Sequence, residues 1–300
     1  MQLEGILFFP VTPFRDDGGV DEGALAAHVD AGVAAGAGGV FAACGTGEFN
    51  ALAPAELETV TRVAVAAAAG RVPVLAAAGG PVPVAQEQAR RIEGAGADGI
   101  LLLPPYLVTA PQQGLVDYAA AVTSASGLDA IFYQRANAVP SPETAVHLAR
   151  LPRVSGIKDG VGDIELMQRT VLRVRQEVDE DFRFFNGLPT AEITVPAYRG
   201  LGVSLYSSAA FAFVPEVALA FNRAVTGGDD ATVRLLLDEF YAPFAALRDE
   251  VPGYAVALVK AGVRLRGHAV GGVRPPLRDP GTDHVDRLAK LIEHGLGLVA

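Results

Sequence analysis

Lysine is scarce in this chain. Of 24 basic residues, only Lys158, Lys260 and Lys290 are lysines, and the other 21 are arginines. Wherever a cation will do, arginine stands, so each lysine is a candidate for chemistry that a guanidinium cannot perform. Cysteine is scarcer: Cys44 is alone, which excludes a disulfide framework. The five histidines (His28, His147, His268, His284, His294) are scattered, and no HxH, HExxH or CxxC spacing occurs, which disfavours a zinc centre. Positive charge is in deficit. The formal net charge of −10 argues against nucleic acid and anionic membrane surfaces, both of which attract basic patches. No apolar run approaches the ~20 residues of a membrane span. The opening MQLEGILFFPVTPF has no basic region ahead of its apolar run, so a secretory signal is not expected. A soluble, cytoplasmic protein is the expectation.

What is present is a repeating alternation. Half of the 300 residues are hydrophobic, with alanine, glycine and valine dominant, ample for a layered core. Short apolar runs at 5–9, 39–43, 72–76, 99–103, 130–133, 154–158, 182–185 and 202–206 read as strands. Helical patterns at 21–35, 54–69, 84–93, 111–124, 142–150, 164–178 and 189–198 fall between them. The spacing is roughly 30 residues per strand and helix, the size of a βαβ step. The corner GAGG at 36–39 is echoed by GADG at 96–99. Eight such units predict an α/β fold, a (β/α)8 TIM barrel over 1–225. Helical patterns at 229–247, 254–265 and 282–291 predict a C-terminal helical extension over 226–300. An open nucleotide-binding sheet is disfavoured, because GVGDIE at 160–165 lacks the third glycine of a dinucleotide loop.

Barrel enzymes work at the carboxyl ends of their strands. In VSGIKDG at 154–160, Lys158 stands at the end of a buried strand. An ammonium there is costly unless it is paired or has lost its proton. Two readings follow: Lys158 pairs with Asp159 or another acid, or it attacks a carbonyl carbon to form an imine. The other strand ends carry polar groups too. CGTGEF offers Thr46 and the Gly47 backbone to a carboxylate, or is an ordinary tight turn. Tyr133 could move a proton, or be a core aromatic with a satisfied hydroxyl. Arg135 could grip a second carboxylate, or make a surface pair. Asn137, Asn186 and Ser207 complete the candidate set, beside Pro104-Pro105-Tyr106 after the fourth strand.

Together, FPVTPF, GTGEF, PPY, the YxR segment and GIKDG, in this order, resemble the dihydrodipicolinate synthase / N-acetylneuraminate lyase superfamily. CGTGEF, YQRANAV and KDGVGDIE are most similar to its 5-dehydro-4-deoxyglucarate dehydratase branch. The resemblance implies a Schiff-base lysine at Lys158, a tyrosine acid/base at Tyr133, a carboxylate site at Thr46 and Gly47, no cofactor, and a homotetramer. Synthases of the superfamily carry two threonines before the GE, where this chain has Gly45 and Thr46. They also carry a second tyrosine after PPY, where this chain has Leu107. Both departures argue against dihydrodipicolinate synthesis.

The expected substrate is a small keto diacid. Neutral Lys158 forms the imine, Tyr133 takes a proton from the adjacent CH2, the β-hydroxyl leaves as water, and the distal carboxylate leaves as CO2. The distal end is expected on Arg135, Asn137, Asn186 or Ser207. The rivals are a class I aldolase on a 2-keto-3-deoxy sugar acid, which would release pyruvate, a non-catalytic keto-acid-binding regulator, and a metal-dependent hydrolase.

Overall fold

A computed structural model describes residues 3–105 and 107–300; Tyr106 lies outside the described residues. Eight strands, β1 (Ile6–Phe8), β2 (Gly39–Ala42), β3 (Val74–Gly79), β4 (Gly99–Leu103), β5 (Asp129–Gln134), β6 (Val154–Asp159), β7 (Arg183–Asn186) and β8 (Leu205–Ser208), pair in sequence order. All pairs are parallel, and β1 meets β8 through Leu7 and Ser207, so the sheet closes into a barrel with no free edge. Helices α1 (Glu22–Ala35), α2 (Pro54–Ala68), α3 (Val82–Gly94), α4 (Gln112–Thr123), α5 (Pro142–Ala149), α6 (Ile164–Glu177), α7 (Val195–Gly200) and α8 (Pro215–Gly227) follow the strands in turn.

Local chemistry starts and stops these helices. Asp21 caps α1 by accepting the Ala24 N–H, and Gly36 ends it in the left-handed region at φ 112°. Leu25, Val29 and Val33, spaced at i, i+4 and i+8, are its buried stripe. Asp163 caps α6 in the same way, on Leu166 N at 2.9 Å.

The strand period of two sorts side chains into two cores. Ile6, Phe8, Ile100, Leu102, Phe132 and Ile157 point outward and pack under the helices. Leu7, Phe9, Leu101, Leu103, Ile131 and Phe185 point inward and fill the barrel, and Tyr133 joins them. Both sets are needed, because a parallel sheet covered by helices is buried on each face.

The boundaries differ from expectation where alanine and proline blur the pattern. The third strand starts two residues late and runs through Ala76, Ala77 and Ala78 to Gly79, where pairing of Ala77 with Leu101 and Gly79 with Leu103 holds an alanine run extended. The eighth strand begins at Leu205 instead of 202, because Gly202 takes a left-handed turn at φ 78°. The helix expected over 189–198 is a 3-10 turn, Ala191–Thr194, leading into the short α7.

After α8 come α9 (Asp230–Leu236), a π turn at Leu237–Tyr241, α10 (Ala242–Asp249), α11 (Tyr254–Leu265) and α12 (Thr282–Gly297). The single helix expected over 229–247 is thus interrupted. The π turn turns Phe240 and Tyr241 into the core, where both are fully buried. Among the described residues, no helix is long and apolar enough to cross a membrane.

Candidate active site

A cavity of about 490 Å³ opens at the barrel mouth, where the carboxyl ends of the strands meet helices α10 and α11 and the segment carrying Arg274. Lys158 projects into it. The period of two explains why: Ile157 points out, so Lys158 points in and Asp159 points out again. The Asp159 carboxylate is therefore occupied elsewhere, by Gln134 Nε2 and Val161 N, each at 2.8 Å, and by the Tyr198 hydroxyl. Burial and that carboxylate push the Tyr198 phenol pKa up, so its proton stays in place. Among the described residues, no acid pairs with Lys158. Its Nζ donates weakly to Gly187 O at 3.4 Å and sits over the Tyr133 ring, 4.0 Å from the centroid. The residue is 5% exposed.

Tyr133 donates its hydroxyl to the same Gly187 carbonyl at 3.0 Å. Phenol and amine thus share one acceptor. Two glycines make this approach feasible. A Cβ on Gly187 would lie 2.5 Å from Nζ, and one on Gly160 would lie 2.7 Å from Tyr133 Cε2. Arg135 Nη1 reaches the Tyr133 oxygen at 3.4 Å from the exposed loop after β5.

The GTGE turn is built tightly. Ala43 and Glu48 both take positive φ, at 50° and 60°, Glu48 N donates to Gly45 O, and Thr12 Oγ1 donates to Gly47 O at 2.6 Å. The Thr46 and Gly47 N–H groups have no acceptor among the described residues. Thr46 lines the cavity, while Gly47 is buried behind it. Cys44, just before the turn, is fully buried, and burial pushes its thiol pKa up, which leaves it inert.

The remaining candidates divide by strand parity. Ser207 lies between the outward-facing Tyr206 and Ser208, so it lines the cavity. Asn186 follows the inward Phe185 and therefore faces out; its amide holds Ala191 O at 3.1 Å and Thr194 Oγ1 at 2.8 Å. Asn137 is exposed in the loop and is outside the cavity lining. The structure thus gathers Lys158, Tyr133, Thr46, Arg135 and Ser207 about one space, and leaves Gly47, Asn137 and Asn186 off its wall.

It also adds residues not singled out as site residues from the sequence. Lys260 and Glu48 form an ion pair of 2.7 Å with both side chains at zero exposure, and Arg274 N donates to the other Glu48 oxygen at 2.8 Å. The Lys260 and Arg274 cations each lie 4.0 Å from the Phe14 ring centroid. The scarcity of lysine could have pointed to Lys260. Nothing in the local sequence marks Arg248 or Thr190, which reach the cavity only through folding.

Comparison with known proteins places this geometry. The model of the dihydrodipicolinate synthetase family matches residues 2–295. The chain is 56% identical over 295 residues, 98% of its length and 94% of the relative's, to "Probable 5-dehydro-4-deoxyglucarate dehydratase 1" of Streptomyces avermitilis. It is 58% identical over 299 residues, 99% of its length and 93% of the relative's, to "Probable 5-dehydro-4-deoxyglucarate dehydratase" of Streptomyces griseus subsp. griseus. The crystal structure of dihydrodipicolinate synthase from Bacillus clausii superposes with a TM-score of 0.88 at 24% identity, covering 97% of each chain, which shows the shared barrel fold. With near-complete coverage by the family model and by close relatives, the chain belongs to the dihydrodipicolinate synthetase family.

Proposed function

We propose that this protein is a decarboxylating hydro-lyase that converts 5-dehydro-4-deoxyglucarate to 2,5-dioxopentanoate, water and CO2 through an imine on Lys158. The observation that carries the reading is the buried Lys158 amine, free of any acid among the described residues and sharing the Gly187 carbonyl with the Tyr133 hydroxyl. The names of the relatives agree with it.

Neutral Lys158 attacks the ketone carbon, the Tyr133 hydroxyl gives its proton to the departing oxygen, and loss of water leaves a Tyr133 phenolate beside the protonated imine. This draws electrons from the neighbouring CH2, and Tyr133, or water it orients, removes a proton to leave an enamine. The enamine's electron pair expels the β-hydroxyl, which takes back the proton just removed and leaves as water, giving an unsaturated imine. Electrons from the bond to the distal carboxylate then flow into that conjugated system, and CO2 departs. Reprotonation and hydrolysis return the amine and release the semialdehyde. The imine supplies the electron sink. Thr46, through its hydroxyl and its backbone N–H, holds the carboxylate beside the ketone, and Arg135 and Ser207 face the hydroxyls.

The reading includes a homotetramer in the cytoplasm. Leu107, fully exposed, and the neighbouring Val108, 59% exposed, support contact between copies, because together they offer adjacent apolar surface that such a contact would cover. The test is incubation with 5-dehydro-4-deoxyglucarate, with release of CO2 and a semialdehyde expected. Pyruvate as the product would establish the aldolase instead. Lys158→Arg keeps the charge and is expected to lose at least ~10³-fold in turnover and all borohydride-trapped adduct; full activity in that variant would remove the imine mechanism.

A further inference from the structure

We infer that Arg248, on α10, is the specificity residue that receives the distal carboxylate of the keto diacid; this rests on the functional reading above and assigns its second anchor. A dianion in a closed mouth needs a cation at each end. The cavity wall carries Lys158, Arg135, Arg248, Arg274 and the acid Glu48. Lys158 is committed to the ketone. Glu48 is matched by Lys260 and by Arg274 N. Both terminal nitrogens of Arg274 are saturated: Nη1 holds Ala51 O and Glu56, and Nη2 holds Gly18 O and Glu56. Arg135 stands on an exposed loop with its Nη1 on the Tyr133 oxygen.

Arg248 differs in being sheltered, with a side chain 14% exposed, and only partly engaged. Asp249 accepts from Nε at 2.7 Å and from Nη2 at 2.8 Å, and Thr190 Oγ1 accepts from Nη1 at 2.6 Å. Each terminal nitrogen carries two hydrogens, so one N–H on each is left to donate to a carboxylate.

The Thr190 backbone is the independent sign of a built site. It is a β-branched residue at φ 50°, ψ 63°, an unfavourable conformation that is retained where the surroundings impose it. Its hydroxyl accepts the Arg248 Nη1 hydrogen bond at 2.6 Å. Thr190 is three peptide units from Gly187, whose carbonyl holds the Lys158 amine, so one short loop carries a contact of each anchor, and both anchors line the same cavity.

Asp249 has a further consequence. A bare guanidinium would hold the carboxylate too firmly to release it as CO2. Asp249 shares the Arg248 charge, so the pair orients the departing group with a weaker pull than a bare guanidinium would exert.

The test uses two six-carbon 2-keto acids that lack the β-hydroxyl and do not turn over: 2-oxoadipate, with a distal carboxylate, and 2-oxohexanoate, with a methyl there. Calorimetric binding is measured on the wild-type protein and on Arg248→Met. The wild type is expected to prefer 2-oxoadipate, and the variant to bind it about 10- to 100-fold more weakly. Binding of 2-oxohexanoate should stay within about twofold, which also reports an intact fold. A retained preference, or equal weakening of both acids, overturns the assignment. Asp249→Asn, at an exposed position, should tighten 2-oxoadipate, leave 2-oxohexanoate unchanged and lower turnover of the natural diacid; weaker diacid binding there counts against it. Neither acid needs an imine to report a preference, so absence of borohydride trapping would overturn the Lys158 mechanism and leave this result standing.

Discussion

At the residue scale, the site turns on how closely an amine and a phenol can share one carbonyl. Tyr133→Phe keeps the ring beneath Lys158 and removes only the hydroxyl that Gly187 accepts. Turnover is expected to fall by about 10²–10⁴-fold, while borohydride still traps a pyruvate adduct on Lys158. Loss of trapping together with turnover would show that the phenol is needed for imine formation as well. Gly187→Ala places a methyl 2.5 Å from Nζ. The amine must move, and kcat is expected to drop about 10²-fold, because displacements of an ångström at reacting atoms have that effect. An alanine variant of normal rate would mean that the amine works from another position.

At the scale of elements, the GTGE turn, α11 and the Arg274 segment meet in one buried polar knot. Lys260 of α11 pairs with Glu48, and Glu48 receives Arg274 N. Burial lowers the Lys260 pKa, while the Glu48 charge opposes that shift. Such a pair adds little net stability when formed, yet removing one partner strands the other charge in a dry site. Lys260→Met is therefore expected to lose about 3–5 kcal/mol in denaturant unfolding. The double variant Glu48→Gln, Lys260→Met should be more stable than the single one, since neither charge remains. A single variant within about 1 kcal/mol of wild type would show that water reaches the pair.

At the scale of the molecule, two buried groups give stability opposite dependences on pH. Burial, helped by His268, draws the His28 pKa from 6.5 to about 3. Between those values the unfolded chain binds a proton that the folded chain refuses, so stability falls as pH drops below 6.5. Burial pushes Glu192 the other way, from 4.5 to about 7, against the opposing hydrogen bond from Ser208. There the folded chain keeps a proton that the unfolded chain has lost, so stability falls as pH rises from 4.5 to 7. From 4.5 to 6.5 the two slopes offset one another. Glu192→Gln removes only the second. Its stability relative to wild type should grow between pH 4.5 and 7.5 by up to about 3 kcal/mol. A gap independent of pH would show that Glu192 is ionised in the folded protein throughout.

The alternation of strands and helices, the closing of eight strands, and Lys158 at a strand end followed from the amino-acid order alone. They rest on short-range periodicity and on the cost of a charge at the end of an apolar run. Which strand-end residues face the cavity did not follow, because one step along a strand reverses a side chain. Ser207 therefore faces the cavity, while Asn186 faces the helices. The partners that distant segments supply were equally hidden. Arg248 and Thr190 lie 58 positions apart, and Lys260 and Glu48 lie 212 apart. Local pattern carries no record of such contacts. They exist only once the C-terminal helices are laid across the barrel mouth, since burial and distance, which decide the worth of a charge, are properties of the packed chain.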